Sequence, residues 1–169
     1  ALTASARNFA LADFKPFLPA VGLQGTLSGE ANLTGTMQAP QGTVTLRGRA
    51  LRAAYYSSSM PSATVDVRAQ LQGDHAAIEA MLNAGNTVRL SLTGTAPLGS
   101  AARMNLRANG NLDLSLLDPL VAADGRRVRG LVAVDALIGG SLEAPRVTGS
   151  GKLTGGELQD YARGARIQD

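Results

Sequence analysis

The chain predicts an all-β fold: one long, curled, antiparallel-rich sheet, bent into a U-shaped groove with an apolar concave face and two short helices. Three observations predict it. Residues 23 to 38 alternate without a break between apolar or glycine (Leu23, Gly25, Leu27, Gly29, Ala31, Leu33, Gly35, Met37) and polar (Gln24 through Gln38). Side chains on a strand point to opposite faces with period two, so this is one strand with a greasy side and a wet side, roughly 50 Å long. The same period recurs through most of the chain. Finally, nothing in the sequence is long enough to cover the greasy side.

The strands follow in order. Val44, Leu46, Gly48 and Ala50 alternate with Thr45, Arg47 and Arg49, and Val65, Val67, Ala69 and Leu71 with Asp66, Arg68 and Gln70. Val88 to Ala96 and Met104 to Leu114 repeat the pattern. Val128 to Leu142 does so with a greasier second face, and Val147 to Leu153 is shorter. Eight to ten strands result, joined by turns such as Gln72-Gly73-Asp74, Ala84-Gly85-Asn86 and Leu98-Gly99-Ser100. Two segments break the alternation. Leu11–Leu18 and Ser115–Ala123 each contain a proline and read as short helices, with Asp13 and Ser115 as N-caps.

Each helical segment precedes a long alternating strand, and this marks an internal repeat, 14–50 and 117–158, at an offset of about 105. Gly25, Gly35, Ala39 and Pro40 align with Gly130, Gly140, Ala144 and Pro145. Such units stack in one dimension. The chain has no initiator methionine and its second copy is cut short, so the 169 residues read as a single fragment of a longer repetitive β-groove domain.

Composition narrows the function classes. The chain is 44% hydrophobic but only 4% aromatic, with no Trp and 20 Gly. A transmembrane barrel wants strands of about 10 residues and aromatic girdles, which these residues cannot build. The net charge of +3 comes from Arg spread along polar strand faces, not the clustered cations with stacking platforms of a nucleic-acid surface. Arg126, Arg127 and Arg129 read as a solvated turn, with anionic headgroups or a partner protein as the sharper alternatives. No cysteine offers thiol or disulfide chemistry, and no run of 18 apolar residues makes a membrane helix.

The expectation is no enzyme, no cofactor and no metal. His75 stands alone in a Gly-Asp-His turn beside Asp74, and the 13 carboxylates fall on wet faces, in turns or at caps, as Asp13 and Asp118 do. Phosphate loops and nucleophile elbows are absent from the sequence. Tyr55 to Ser59 reads as a polar loop.

The physical question is therefore what meets the greasy face. A self-covering sandwich and an open groove both satisfy the pattern, and glycine and alanine at inward positions favour curvature and room inside. A groove can hold acyl chains, worth about 0.8 kcal/mol per buried CH₂. Its lining would be Leu23, Leu27, Leu33, Met37, Val44, Leu46, Leu90, Leu92, Leu106, Val132, Ile138 and Leu142. A strand-presenting assembly factor and a plain structural spacer are the competing readings.

The stretches Gly25 to Gly42 and Gly130 to Gly149, each an alternating strand followed by Gly-[Thr/Ser]-φ-x-Ala-Pro, resemble the C-terminal repeats of the TamB family of the AsmA-like superfamily. Leu153 to Leu158, Tyr161 and Gly164 to Asp169 look like that family's stretch after the proline turn. The resemblance implies a β-taco fold and a periplasmic section of a protein anchored in the inner membrane of a diderm bacterium. It also implies an outer-membrane partner of the BamA/TamA type. Two roles follow from it: carrying phospholipids toward the outer membrane, and helping outer-membrane proteins and autotransporters assemble, with unfolded strands as clients.

Overall fold

The computed structural model describes residues 1–10, 23–36, 38–53, 61–99, 103–121, 125–141, 143–160 and 164–168. Ten strands form one open antiparallel sheet: β1 (Leu2–Ala10), β2 (Leu23–Gly35), β3 (Pro40–Ala53), β4 (Ala63–Gln72), β5 (His75–Ala84), β6 (Val88–Pro97), β7 (Asn105–Asp113), β8 (Arg126–Gly140), β9 (Pro145–Asp160) and β10 (Ala165–Gln168). Order in the sheet is order in the sequence, with no crossover and no closure of β1 onto β10. Tight turns explain the order. Gly73, with φ +73, turns β4 into β5, whose first pair is Gln72 with His75. Such connections join only strands that already lie side by side.

Two turns, 105 residues apart, are built alike. Gly35 and Gly140 sit at φ +88 and +85, and a side chain on either would strike the carbonyl oxygen of Ala39 or Ala144 at 2.4 Å. Thr36 Oγ1 accepts the Ala39 N–H, and Ser141 Oγ accepts the Ala144 N–H, both at 3.1 Å. Pro40 and Pro145 then open β3 and β9, opposite those glycines.

The long strands are creased by bulges. β3 steps from Arg49 to Arg52 while β2 steps only from Thr26 to Gln24, and Ala50 carries a φ of +51. β9 has its extra residue at the matching place, where Gly155 has φ +62. β1 bulges at Asn8, φ +52, whose N–H donates to Ser28 Oγ. Bulges sharpen the local twist and bend a sheet.

Helix is scarce. Of the two expected helices, Leu11–Leu18 and its cap Asp13 lie outside the described residues. The other is a single 3-10 turn, Leu114–Leu117, running into one α turn, α1 (Asp118–Val121). Its cap is Asp113, not Ser115: the Asp113 carboxylate accepts the Ser115 N–H at 2.9 Å. Asp118 does not cap a helix in the expected way either. Its Oδ1 accepts the Val128 N–H at 3.0 Å and fastens the helical turn to β8. The arginines 126, 127 and 129 are strand residues of β8, not a turn, and Arg126 meets Asp160 at 3.4 Å. His75 likewise opens β5, with Nδ1 2.8 Å from Asp74 Oδ1.

Candidate functional site: one apolar sheet face

Residues directly opposite in an antiparallel pair share a face, so the register traces rows across the sheet. One row runs Ala4, Ala31, Val44, Ala69, Ile78, Gly94, Leu106, Ile138, Val147. The next runs Ala6, Gly29, Leu46, Val67, Ala80, Leu92, Ala108, Ala136, Gly149. A third runs Phe9, Leu27, Gly48, Val65, Leu82, Leu90, Gly110, Val134, Gly151. No polar side chain interrupts any of the three from β1 to β9. Val88, Leu112, Val132 and Leu153 form a fourth, and Val128, Leu158 and Ile167 carry the face into β10.

Nine of the twelve expected lining residues fall on this one face: Leu27, Leu33, Val44, Leu46, Leu90, Leu92, Leu106, Val132 and Ile138. Leu23 pairs through its backbone with Ala53, while Met37 and Leu142 lie outside the described residues. The face also takes in Leu2 and Phe9 from β1, Ile78 and Leu82 from β5, and Val147 from β9, none of them in the expected lining. The period-two signal was present in each, weakest in β1, where the Asn8 bulge breaks it.

The face is concave in its middle. A cleft of about 330 Å³ is lined by Val65 of β4, Leu82 of β5, Leu90 and Leu92 of β6, Ala108 and Leu112 of β7 and Val134 of β8. One hollow can touch five successive strands only where the sheet curls. Its volume is that of a small ligand site, although it is open along its length. Little covers it. Ala76, Ala84, Val88, Leu106 and Pro97 are the buried apolar side chains among the described residues, and no side chain there falls below 2% exposure. Leu46, Val147 and Leu153 stand 40%, 66% and 43% exposed. The 3-10 turn and α1 are the described helical pieces packed on β8, and beside them Leu114 joins Val128, Leu153 and Leu158 around a second hollow of about 310 Å³.

The opposite face is polar and electrostatically paired. Arg47 lies 3.6 Å from Asp66 across β3 and β4. Arg107 grips Asp135 with two bonds, Nε at 3.0 Å and a terminal nitrogen at 2.5 Å. That fork holds the Asp135 carboxyl below the usual carboxylate range and raises the guanidinium. Met81, Leu131 and Leu137 are the exposed exceptions on this side. Among the described residues no three His, Cys, Asp or Glu side chains gather where a metal could sit. No described helix is long and apolar enough to cross a membrane.

An open meander with one continuous greasy face and one ion-paired face defines a class: all-β proteins of a single antiparallel sheet not closed into a barrel. The family model described as "TamB, N-terminal domain" matches residues 1–153, and the chain belongs to the TamB family. The sequence reading placed it among the family's C-terminal repeats; the matching model is that of the N-terminal domain. Membership ties the chain to the translocation and assembly module of the outer membrane, and so to the periplasmic envelope. No solved structure matches this chain.

Proposed function

We propose that the apolar face is a section of a track that shields phospholipid acyl chains in transit from the inner to the outer membrane, supporting outer-membrane biogenesis. The observation that carries this reading is the apolar surface running unbroken from β1 to β9 without a second layer over it among the described residues. Each methylene withdrawn from water onto such a face is worth about 0.8 kcal/mol. The lining of Leu, Val, Ile, Ala and Gly offers contact without directional bonds, which suits chains sliding past rather than a ligand held in one pose. In this reading the protein performs no reaction and needs no cofactor. It works as part of a protein anchored in the inner membrane, with a BamA/TamA-type barrel receiving the lipid.

Photo-crosslinking in cells tests it, with a reactive side chain at Leu33 on the apolar face and at its neighbour Thr34 on the other. Phospholipid adducts at Leu33 and not at Thr34 are expected. Adducts only to protein, or none, would overturn the reading.

A second reading, assembly of outer-membrane β-barrel proteins and autotransporters by strand addition at a sheet edge, is favoured by the family's tie to the translocation and assembly module. It predicts that proline substitutions along that edge harm assembly more than charges placed on the apolar face.

A further inference from the structure

The two like-built turns differ in what stands beside them. At the first, Thr34 of β2 lies directly opposite Gln41 of β3. At the second, the same places hold Gly139 and Arg146, opposite each other across β8 and β9. Another arginine arrives from the other side. Met104 N–H donates to Gly140 O at 2.8 Å, which brings its neighbour Arg103 up to the turn. Arg103, Gly140, Ser141, Ala144 and Arg146 line a hollow of about 380 Å³.

Three properties of this hollow suit an anion. Elsewhere on the wet face an arginine meets a carboxylate on the next strand, as Arg47 meets Asp66 and Arg107 meets Asp135. Here two cations share one hollow and repel each other, while Glu143 of the same turn is not in its lining. Gly139, between Met104 and Arg146, is bare without need. Its backbone is not left-handed, and a Cβ there would meet only Met104 O, at an ordinary 3.7 Å. Ser141 Oγ accepts the Ala144 N–H, which leaves its own hydroxyl hydrogen to donate. A guanidinium presents a planar fork to two oxygens at once, so two forks and a hydroxyl fit a tetrahedral anion with oxygens on several sides. A carboxylate, with two oxygens, fills one fork and leaves the other cation unmatched.

We propose that Arg103, Arg146 and Ser141, beside the bare backbone of Gly139, bind a phosphate group at this turn. Gly139 and Arg146 belong to the wet face, one residue beyond the apolar row of Leu106, Ile138 and Val147. A phosphate held there has two sources, a lipid headgroup at the rim of the apolar face or a soluble phosphate compound. The binding stands whether or not the apolar face carries acyl chains.

The test follows the amide signals of residues 139–146 in the chain by nuclear magnetic resonance. Inorganic phosphate, acetate, or dihexanoyl phosphatidylglycerol below its micelle concentration is added. Saturable shifts with inorganic phosphate mean that the phosphate group alone suffices, and shifts with the lipid alone assign a headgroup; either supports the proposal. Acetate should bind at least about tenfold more weakly. Arg103→Gln should weaken binding about tenfold, and so should Gly139→Thr combined with Arg146→Gln, which copies the first turn and so suits the hairpin. Arg47→Gln should leave binding unchanged. No saturable shift with phosphate or lipid, acetate bound as tightly, or undiminished binding in the Arg103 and Gly139/Arg146 variants would each overturn the proposal.

Discussion

Ala50 is the residue whose conformation its side chain least supports. At φ +51 an L-residue with a Cβ is strained by roughly 1–2 kcal/mol, and the matching position 155 is glycine. Ala50→Gly should therefore raise stability by about 0.5–1 kcal/mol, after the flexibility glycine adds to the unfolded chain, read as a shift of the urea midpoint. Nothing in the sequence marked Ala50 as left-handed, because alanine does not favour that region, whereas Asn8 is of a type that enters it readily. The Arg107–Asp135 fork makes a second prediction. Asp135 titrates lower when folded than when unfolded, so the pair stabilises the fold above the ordinary carboxylate range and ceases to as pH falls through the folded value. Arg107→Ala should lower the denaturation midpoint near neutral pH, and the difference should shrink as the pH falls through the carboxylate range. Alternation revealed which way Asp135 points; its partner Arg107, 28 residues back on β7, depends on register, which no local pattern encodes.

At the scale of the element, each hairpin turn is a small machine with few parts. Gly140→Ala would drive a Cβ into the Ala144 carbonyl, so it should cost about 1–3 kcal/mol and loosen the β8–β9 pairing, visible as faster amide exchange along both strands. The glycines and prolines at these turns were legible in the sequence because the chemistry of a turn is local. The helical turn was legible only as a break in alternation. Proline and leucine suggested one regular helix, but Asp113 begins a 3-10 turn at the end of the strand and the Asp118 link to Val128 fastens it against β8. The arginines of early β8 misled for a related reason. Three cations in four residues look like a loop until pairing with β9 supplies Asp160 and Gln159 opposite Arg126 and Arg127.

For the whole molecule, a single layer among the described residues means that removing one greasy contact barely disturbs the hydrogen-bonded ladder. Leu92→Arg should leave the far-ultraviolet circular dichroism strand-like, yet cut phospholipid adducts on the apolar face several-fold, while Thr93→Arg on the other face should leave them unchanged. The face itself was readable residue by residue, since period two is a property of the strand. Its continuity across ten strands was not, because that depends on every register agreeing. Because each strand touches only its neighbours in sequence, stability is close to a sum over adjacent pairs. Amide protection should accordingly peak in β5 and β6 and decline toward both ends, with broad denaturant unfolding in place of one sharp transition. The same unbranched order bears on how the chain comes into being. When it emerges with its amino terminus leading, every new strand finds its only required partner already laid down just behind it, and no segment waits for a distant one. The sheet can grow by accretion in the direction of synthesis and export, with its newest margin the one that waits for the next strand.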